Sequence, residues 1–174
     1  NLVNCYICPS EFMANKIQQG GIEKSRILVM HNFSDIIKKM PRFDTSTRYI
    51  IYFGRLSVEK GIETLIKVCR ELPDIKFVIA GAGPLEKKIK GLSNVKFVGF
   101  KNGEELQELI LNACLSVYPS EWYENCPLSV IESQALGTPV LASDLGGTKE
   151  LIIKGKTGDV FKAGDILEFK NSIQ

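Results

Sequence analysis

From residue 48 onward, short apolar runs alternate with amphipathic segments, and this rhythm constrains the fold more than any other feature of the chain. The apolar runs are YIIYFG, IKFVIAG, VKFVGF, LSVYPS and TPVLAS. Each is followed by a segment with helical character, the first being IETLIKVCREL. Continuous runs of Val, Ile and Phe joined by helices are typical of parallel strands buried on both faces. The sequence therefore predicts an α/β domain with a doubly wound, Rossmann-like parallel sheet over residues 48–174.

The first part of the chain follows a different pattern. VNCYIC and RILVMHN are strand-like, and SEFMANKIQQG between them favours a helix with Ser10 as its cap and Gly20 as its end. The next stretch, FSDIIKKMPRFDTSTR, is polar, contains Pro41 and has no clear period, so we interpret it as a connection. A length of 174 residues suits one domain with a fragment of another.

Charge and composition argue against several classes of function. A net charge of +2 gives no basic field for nucleic acid, and no apolar run reaches the roughly 18 residues of a membrane span. Cys5 and Cys8 form a C-x-x-C, but the chain has no second such pair, and His31 is its only histidine. We therefore expect strand packing at these cysteines rather than a zinc or redox site, and a reducing, cytosolic setting.

The strand-to-helix loops are where function is expected, because a doubly wound sheet binds ligands beyond the carboxyl ends of its strands. The first loop, FGRLSVEKGIETL, carries Arg55 and Lys60 beside a helix that is expected to begin between Glu59 and Ile62. Free amides at a helix start and two cations favour a phosphate there. The spacing is not that of a P-loop, and two solvated surface cations are the alternative.

The second loop, within FVIAGAGPLEKKI, looks like the phosphate turn of a flavin or nicotinamide enzyme. That fingerprint needs a third glycine where Glu86 stands, and an acidic residue at the end of the next strand, where this chain has Lys101. The turn also follows the second strand of the regular series, not the first. We therefore expect no dinucleotide here, although Gly81 and Gly83 allow a ligand close to the backbone.

Two further loops carry polar residues. In PSEWYENCPLSVIESQALG, Glu124 precedes a helix expected to start near Pro127, and Glu132 lies within that helix among apolar neighbours. Carboxylates in such places suit sugar hydroxyls, while a helix-surface position is an equally weighted alternative. In ASDLGGTKELI, the glycine pair could present amides to an anion, or the loop is a plain turn with Thr148 as a helix cap.

Taken together, these loops resemble the C-terminal half of GT-B glycosyltransferases, specifically the retaining enzymes of glycosyltransferase family 4. The blocks that carry the resemblance are YFGRLSVEKGIETLI, FVIAGAGPLE, VKFVGF, ENCPLSVIESQALGTPV and GGTKELI, in the family's order. Glu124 and Glu132 match the family's E-x7-E motif in register. PSEF and HNFSD resemble the end of its N-terminal domain. The resemblance thus implies that residues 1–47 are the end of a preceding domain plus a linker, packed on a donor-binding domain at 48–174.

The resemblance also implies roles for the candidate residues. Arg55, Lys60 and Glu124 are the expected catalytic residues. The two cations would hold the donor diphosphate and neutralise the leaving group, where other transferases use a metal, and Glu124 would bind the sugar. Glu132 would bind the ribose. The other expected donor-binding residues are Gly54, Asn125, Leu128 and Ser129, together with Gly81, Gly83, Pro84, Phe100 and Lys101, which would face the nucleobase.

One departure from the family pattern concerns the sugar. Family members often read E-G-F-G at the first glutamate, whereas this chain has Pro127 three residues after Glu124. Proline has no N–H, so one donor to the ligand is lost, while Leu128 and Ser129 keep theirs.

The function that the resemblance implies is transfer of a hexose, with mannose as the first choice, from a GDP- or UDP-linked donor with retention of configuration. The acceptor would be a glycan, a lipid or a small molecule, bound mainly by a missing N-terminal domain, so this half alone would be inactive. We expect no metal, no other cofactor, no nucleic acid, and a cytoplasmic protein, free or peripheral to a membrane. Two alternatives are a non-catalytic sugar-nucleotide-binding module and a flavin or NAD oxidoreductase fragment.

Overall fold

A parallel six-stranded sheet forms the centre of the molecule. The computed structural model of the chain describes residues 2–36 and 48–174. All strand pairs in the sheet are parallel, and its spatial order is β5-β4-β3-β6-β7-β8. The strands are β3 (Ile50–Phe53), β4 (Phe77–Ala80), β5 (Val95–Gly99), β6 (Leu115–Tyr118), β7 (Val140–Ser143) and β8 (Gly158–Phe161). The α/β fold with a parallel sheet, predicted from the alternating pattern, is confirmed.

The helices cover both faces of this sheet. They are α2 (Ile62–Glu71), α3 (Glu86–Ile89), α4 (Gly103–Leu111), α5 (Leu128–Ala135) and α6 (Ile166–Ile173). Successive residues of β3 show the two faces, because Ile50 and Tyr52 belong to one buried cluster and Ile51 and Phe53 to another. Side chains of a strand alternate between faces, so both faces of the sheet are core.

The chain reverses direction across the sheet between β3 and β6. It runs outward from β3 through β4 to β5, then returns to the other side of β3 and continues through β6 and β7 to β8. The carboxyl ends of β3 and β6 therefore diverge into loops that leave in opposite directions. Such a switch point opens a crevice in which doubly wound proteins bind their ligands.

Several local features differ from the sequence-based expectation. The expected helix in PLEKKIKGL is only the four residues of α3, because Lys90 already has an extended backbone and Gly91 has a positive φ. Thr148 does not cap a helix. Gly147 holds the cap position, and the buried Thr148 hydroxyl has no hydrogen-bond partner within residues 2–36 and 48–174. That prediction was wrong because the threonine is the first residue inside a short 3-10 turn.

The N-terminal segment contributes a separate pair of parallel strands. These are β1 (Tyr6–Cys8) and β2 (Ile27–Val29), joined through helix α1 (Glu11–Gln19). As predicted, Ser10 caps α1 by accepting a hydrogen bond from the amide of Met13, and Gly20 ends it. The apolar side chains of Ile7, Leu28 and Met30 are exposed on this pair.

Several contacts join this segment to the larger sheet. The Glu150 carboxylate accepts hydrogen bonds from the amides of Glu11 and Phe12, at 2.8 and 2.7 Å, in the first turn of α1. Asn32 donates to the carbonyl of Cys126 at 2.7 Å. Most of the expected linker falls in residues 37–47, outside the described residues, so the domain division at residue 47 stays a prediction. No helix in the described ranges is long and apolar enough to cross a bilayer.

Candidate functional site

The loops at the switch point bring a cation and a carboxylate together. Lys60 comes from the loop after β3, and Glu124 from the loop after β6. Lys60 Nζ lies 2.5 Å from Glu124 Oε1, and the two side chains are 26% and 18% exposed. These residues are 64 positions apart in the sequence. They meet because β3 and β6 are neighbours in the sheet, and the pair is accessible from the crevice.

Tight packing between the same two loops holds this pair in place. Gly61 has a φ of 68°, and a Cβ atom there would lie 1.8 Å from the carbonyl oxygen of Pro119, so only glycine fits. The amide of Glu121 donates to the carbonyl of Glu59 at 2.9 Å. The hydroxyl of Ser120 donates to Glu124 Oε1 at 3.0 Å, the same oxygen that Lys60 contacts.

A tyrosine at the end of β6 completes the surroundings of Lys60. The Tyr118 hydroxyl lies 3.2 Å from Lys60 Nζ, which donates to it, and the ammonium lies 5.6 Å from the centre of the Tyr118 ring. Burial, followed by the negative charge of Glu124, raises the pKa of Tyr118 above its ordinary value. The phenol therefore stays neutral and acts as a hydrogen-bonding group beside the cation.

A pocket of about 370 Å³ opens at the carboxyl ends of β3 and β4, and it is lined by Arg55 from the loop that also carries Lys60. Five of the predicted donor-site residues line it, namely Gly54, Arg55, Gly81, Phe100 and Lys101. The volume lies in the range of small-ligand sites, roughly 300–1,000 Å³. Phe100 is 69% exposed at its mouth, and Lys101 pairs with Glu105 at 2.9 Å. Gly83 and Pro84 are not among the lining residues.

Packing of the chain on itself explains the two glycines of the second loop. A Cβ atom on Gly81 would lie 1.9 Å from the carbonyl oxygen of Gly54, and one on Gly83 would lie 2.5 Å from that of Leu56. The backbones of the two loops are also hydrogen-bonded, Leu56 donating to Ala82 at 2.9 Å and Leu85 to Leu56 at 3.0 Å. The glycines therefore let the β4 turn dock against the loop that carries Arg55.

Helix α5 presents the remaining predicted residues. It begins at Leu128, directly after Pro127, as the sequence indicated, and Asn125 and Leu128 are exposed. Burial, then the charge of Asp35, raises the pKa of the Glu132 carboxyl. Within the described part of the chain no donor is hydrogen-bonded to that carboxylate, so it is an acceptor available to a ligand.

The arrangement has the chemistry of an anion site, with a carboxylate held beside it. Arg55 is exposed on the wall of the pocket, and Lys60 is ordered by its two partners. Among residues 2–36 and 48–174, no group of three or more His, Cys, Asp or Glu side chains is placed to hold a metal ion. Cys5 is exposed, Cys8 is buried, and both are free thiols.

Two residues of this site were missed from the sequence, Tyr118 and Ser120. Both are hydroxyl side chains at the carboxyl end of an otherwise apolar strand, and that position was the available signal. Their role depends on the neighbouring strand β3, which the sequence does not place beside β6.

Comparison with known proteins assigns the chain to a family. The family described as "Glycosyl transferases group 1" matches residues 33–174. The chain belongs to this family. It is 37% identical over 124 residues to the sulfoquinovosyl transferase SQD2 of Arabidopsis thaliana. That alignment covers 67% of this chain and 24% of SQD2. It is 33% identical over 157 residues to an alpha-D-kanosaminyltransferase of Streptomyces kanamyceticus, covering 80% and 40% respectively.

Solved structures of other proteins also match this fold. Sucrose-phosphate synthase from Thermosynechococcus elongatus matches with a TM-score of 0.85 and 26% identity, over 98% of this chain and 48% of that one. A mutant of S. aureus TarM, in complex with Fondaparinux, alpha-GlcNAc-glycerol and UDP, matches with a TM-score of 0.84 and 25% identity, over 98% and 36%. This chain thus spans half or less of the length of these relatives.

Proposed function

We propose that this chain is the donor-binding half of a retaining glycosyltransferase that transfers a hexose from a nucleoside-diphosphate sugar. The observation that carries the proposal is the Lys60–Glu124 pair, which lies at the switch point of the sheet beside a pocket of about 370 Å³. The pocket suits a base, the cations suit a diphosphate, and the carboxylate suits sugar hydroxyls. These three parts follow one another along a nucleotide sugar in the same order.

The proposed placement of the donor uses the site as follows. The nucleobase enters the pocket beside Phe100 and Lys101, and the diphosphate lies against Arg55 and Lys60. Glu132 accepts from the ribose hydroxyls. Glu124 accepts from the hydroxyls of the sugar, with Asn125 and the amides of Leu128 and Ser129 near the sugar and the adjoining phosphate. Pro84 and Gly83 support the base-side turn from behind.

The proposed catalysis is electrostatic. When the glycosidic bond breaks, positive charge develops on the sugar ring and negative charge on the departing diphosphate. A cation within hydrogen-bonding distance of that diphosphate stabilises the transition state more than the ground state. Lys60 is already held in one place by Glu124 and Tyr118, so little reorganisation is needed when the charge develops. The acceptor then attacks the face from which the diphosphate leaves, which retains the configuration.

The identity of the donor is proposed from relatives. A protein of Corynebacterium glutamicum named as a GDP-mannose-dependent alpha-mannosyltransferase is 33% identical over 123 residues. It supports mannose and GDP as the first donor to test, and the UDP in the TarM complex supports UDP as the second. Membership of the family favours a transferase over a flavin or NAD oxidoreductase. The presence of both Lys60 and Glu124 favours a domain of an active enzyme over a non-catalytic sugar-nucleotide-binding module.

The missing half is proposed to bind the acceptor, which is a glycan, a lipid or a small molecule. The exposed apolar side chains on β1 and β2 fit a segment that continues into another domain, as residues 1–47 were predicted to do. We further propose a cytoplasmic location, free or at a membrane surface, with no metal or other cofactor.

A thermal-shift series tests the donor-site proposal directly. GDP, UDP and ADP, and their sugar conjugates, are added at about 1 mM, and ligand that binds the folded chain raises its melting temperature by mass action. We expect a rise with at least one nucleoside diphosphate. A melting temperature unmoved by every ligand in the series would remove the proposal.

Two substitutions locate the phosphate within the site. Arg55→Ala and Lys60→Ala are each expected to weaken binding of that nucleoside diphosphate by roughly tenfold, since each removes a charge-assisted contact. The matched control is Lys67→Ala, which removes an exposed cation from α2 at a distance from the pocket. Calorimetric titration measures the difference, and an equal loss in the control would contradict the phosphate assignment.

A further inference from the structure

The surroundings of Lys60 raise a question that the family resemblance does not answer. An ammonium group has three N–H donors. In this structure one is directed to Glu124 Oε1 at 2.5 Å and one to the Tyr118 hydroxyl at 3.2 Å. The third is free to reach a ligand in the crevice. With two of its three N–H groups bonded to the protein, Lys60 has one N–H left to donate to a diphosphate.

Glu124 cannot orient Lys60 alone once a donor is bound. In the proposed function its carboxylate also accepts from the sugar hydroxyls, and one of its oxygens is already shared with Lys60 and Ser120. Sugar hydroxyls then compete with Lys60 for the oxygens of this carboxylate. An uncharged partner that does not contact the sugar would keep the ammonium in place through that change.

Tyr118 has the properties of such a partner. It is the last residue of β6, 6% exposed, so its ring is fixed by the core of the sheet. The ammonium lies at the hydroxyl edge of the ring, 3.2 Å from the phenol oxygen and 5.6 Å from the ring centre. Because burial and Glu124 raise its pKa, the phenol does not ionise at neutral pH and does not become a second counter-ion.

We propose that Tyr118 is a positioning residue that orients Lys60 toward the donor diphosphate. The inference rests on the proposed function, in which Lys60 contacts that diphosphate. The tyrosine hydroxyl also hydrogen-bonds to the side chains of Glu124 and Ser129, so positioning is the part of its effect on ligand binding that depends on Lys60. This dependence distinguishes positioning from a general contribution to stability.

Tyr118→Phe tests the inference with little change in shape. Phenylalanine keeps the ring and removes only the hydroxyl. We expect affinity for UDP or GDP, whichever the wild-type chain binds more tightly, to fall roughly five- to tenfold, as for the loss of one ordinary hydrogen bond. Calorimetric titration gives the affinity, and the melting temperature of each variant is recorded in parallel.

The matched control is Tyr49→Phe. It removes another tyrosine hydroxyl, which donates to the carbonyl of Leu109 at 2.6 Å, from the residue just before the amino end of β3, away from the crevice. If Tyr118→Phe acted only by destabilising the fold, Tyr49→Phe would lower nucleotide affinity to a similar extent. We expect Tyr49→Phe to leave nucleotide affinity unchanged.

A double-mutant cycle with Lys60→Met decides between positioning and direct contact. In the Lys60→Met background, Tyr118→Phe is expected to change the affinity less than twofold. An undiminished effect in that background, or no effect in the wild-type background, would overturn the inference while the donor site stands. Failure of the wild-type chain to bind either nucleotide overturns the proposed function first, and the inference with it.

Discussion

At the residue scale, the two glutamates of the E-x7-E motif lie in opposite surroundings. Glu124 faces a cation and a hydroxyl, with Lys60 Nζ at 2.5 Å and Ser120 Oγ at 3.0 Å. Glu132 faces the carboxylate of Asp35 and is half-buried. The first is stabilised in the absence of ligand, whereas the second is held in a place that disfavours its charge. A ligand hydroxyl that donates to Glu132 would stabilise its charge. Glu132 is therefore the more informative of the two residues to change.

Glu132→Gln is expected to stabilise the unliganded chain at neutral pH. The folded-state pKa of Glu132 is raised by burial and by Asp35. A carboxyl with a raised folded-state pKa contributes stability below its unfolded pKa and loses that contribution as pH rises through the folded pKa. The variant should therefore melt about 1–3 °C higher than the wild type at pH 7, and at the same temperature near pH 4. Calorimetric melting at both values measures the difference.

The control for this prediction is Glu63→Gln. The pKa of Glu63 is lowered, first by its hydrogen bond to Lys88 and then by the charge of that lysine. Its stabilising contribution is therefore present at neutral pH and lost in acid, which is the opposite sign. A higher melting temperature for both variants, or for neither, would contradict the assignment for Glu132. If Glu132 also binds ribose, its variant gains stability and loses nucleotide affinity.

At the element scale, the site depends on the docking of two loops that follow neighbouring strands. Gly81, with a φ of 154°, lies so close to Gly54 that a Cβ atom would be 1.9 Å from the Gly54 carbonyl oxygen. Backbone cannot yield as a flexible side chain can. The position of Arg55 on the pocket wall is therefore set by the glycine turn after β4, although the two residues are 26 positions apart in the chain.

Gly81→Ala is expected to lower both stability and nucleotide affinity. Overpacking of this kind costs about 1–3 kcal/mol, which for a chain of this size lowers the melting temperature by roughly 3–10 °C. Gly91→Ala is the matched control, because Gly91 also has a positive φ, of 101°, but nothing lies within 4 Å of its Cβ position. The difference between the two variants isolates the clash. Equal melting temperatures would show that the loops separate without cost.

The same scale shows what the sequence could and could not predict. Strands β3 to β7 were predictable, because each is a continuous apolar run before a helix. Strand β8, with the sequence GDVF, and helix α6 were not predicted. Only Phe161 of that strand is fully buried, so the apolar signal is weak. The lengths of α3 and of the turn at Thr148 depend on single backbone angles, which composition does not encode.

The site was predictable as a set of loops but not as a set of contacts. Arg55, Lys60, Glu124 and Glu132 were found because cations and carboxylates at strand ends carry a chemical meaning. That Lys60 and Glu124 touch depends on β3 and β6 being adjacent, which follows from strand order rather than from either loop. Tyr118 lies 58 positions from Lys60, so its contact was invisible to any local pattern.

At the scale of the whole molecule, the chain spans only part of the length of its relatives. It covers 48% of sucrose-phosphate synthase and 40% of the kanosaminyltransferase. The β1–β2 pair has only two strands and exposes Ile7 at 60%, Leu28 at 52% and Met30 at 54%. Parallel sheets are normally covered on both faces, so these residues fit a larger sheet to which β1 and β2 belong.

We expect the isolated chain to bind a nucleoside diphosphate and yet transfer no sugar. Binding needs the pocket, Arg55 and Lys60, all of which lie within the described residues. Transfer also needs an acceptor held at the face of the sugar from which the diphosphate leaves, and a crevice closed against water. We expect the loops of this sheet alone to supply neither. The measurement pairs calorimetric binding of GDP and UDP with a sensitive assay for released nucleotide from GDP-mannose and UDP-glucose, with and without sugar acceptors. Lys60→Ala serves as the control, because its expected roughly tenfold weaker binding lowers any release that depends on the site and so sets the background. Release above that background, in step with binding, would show that the catalytic groups are complete in this half.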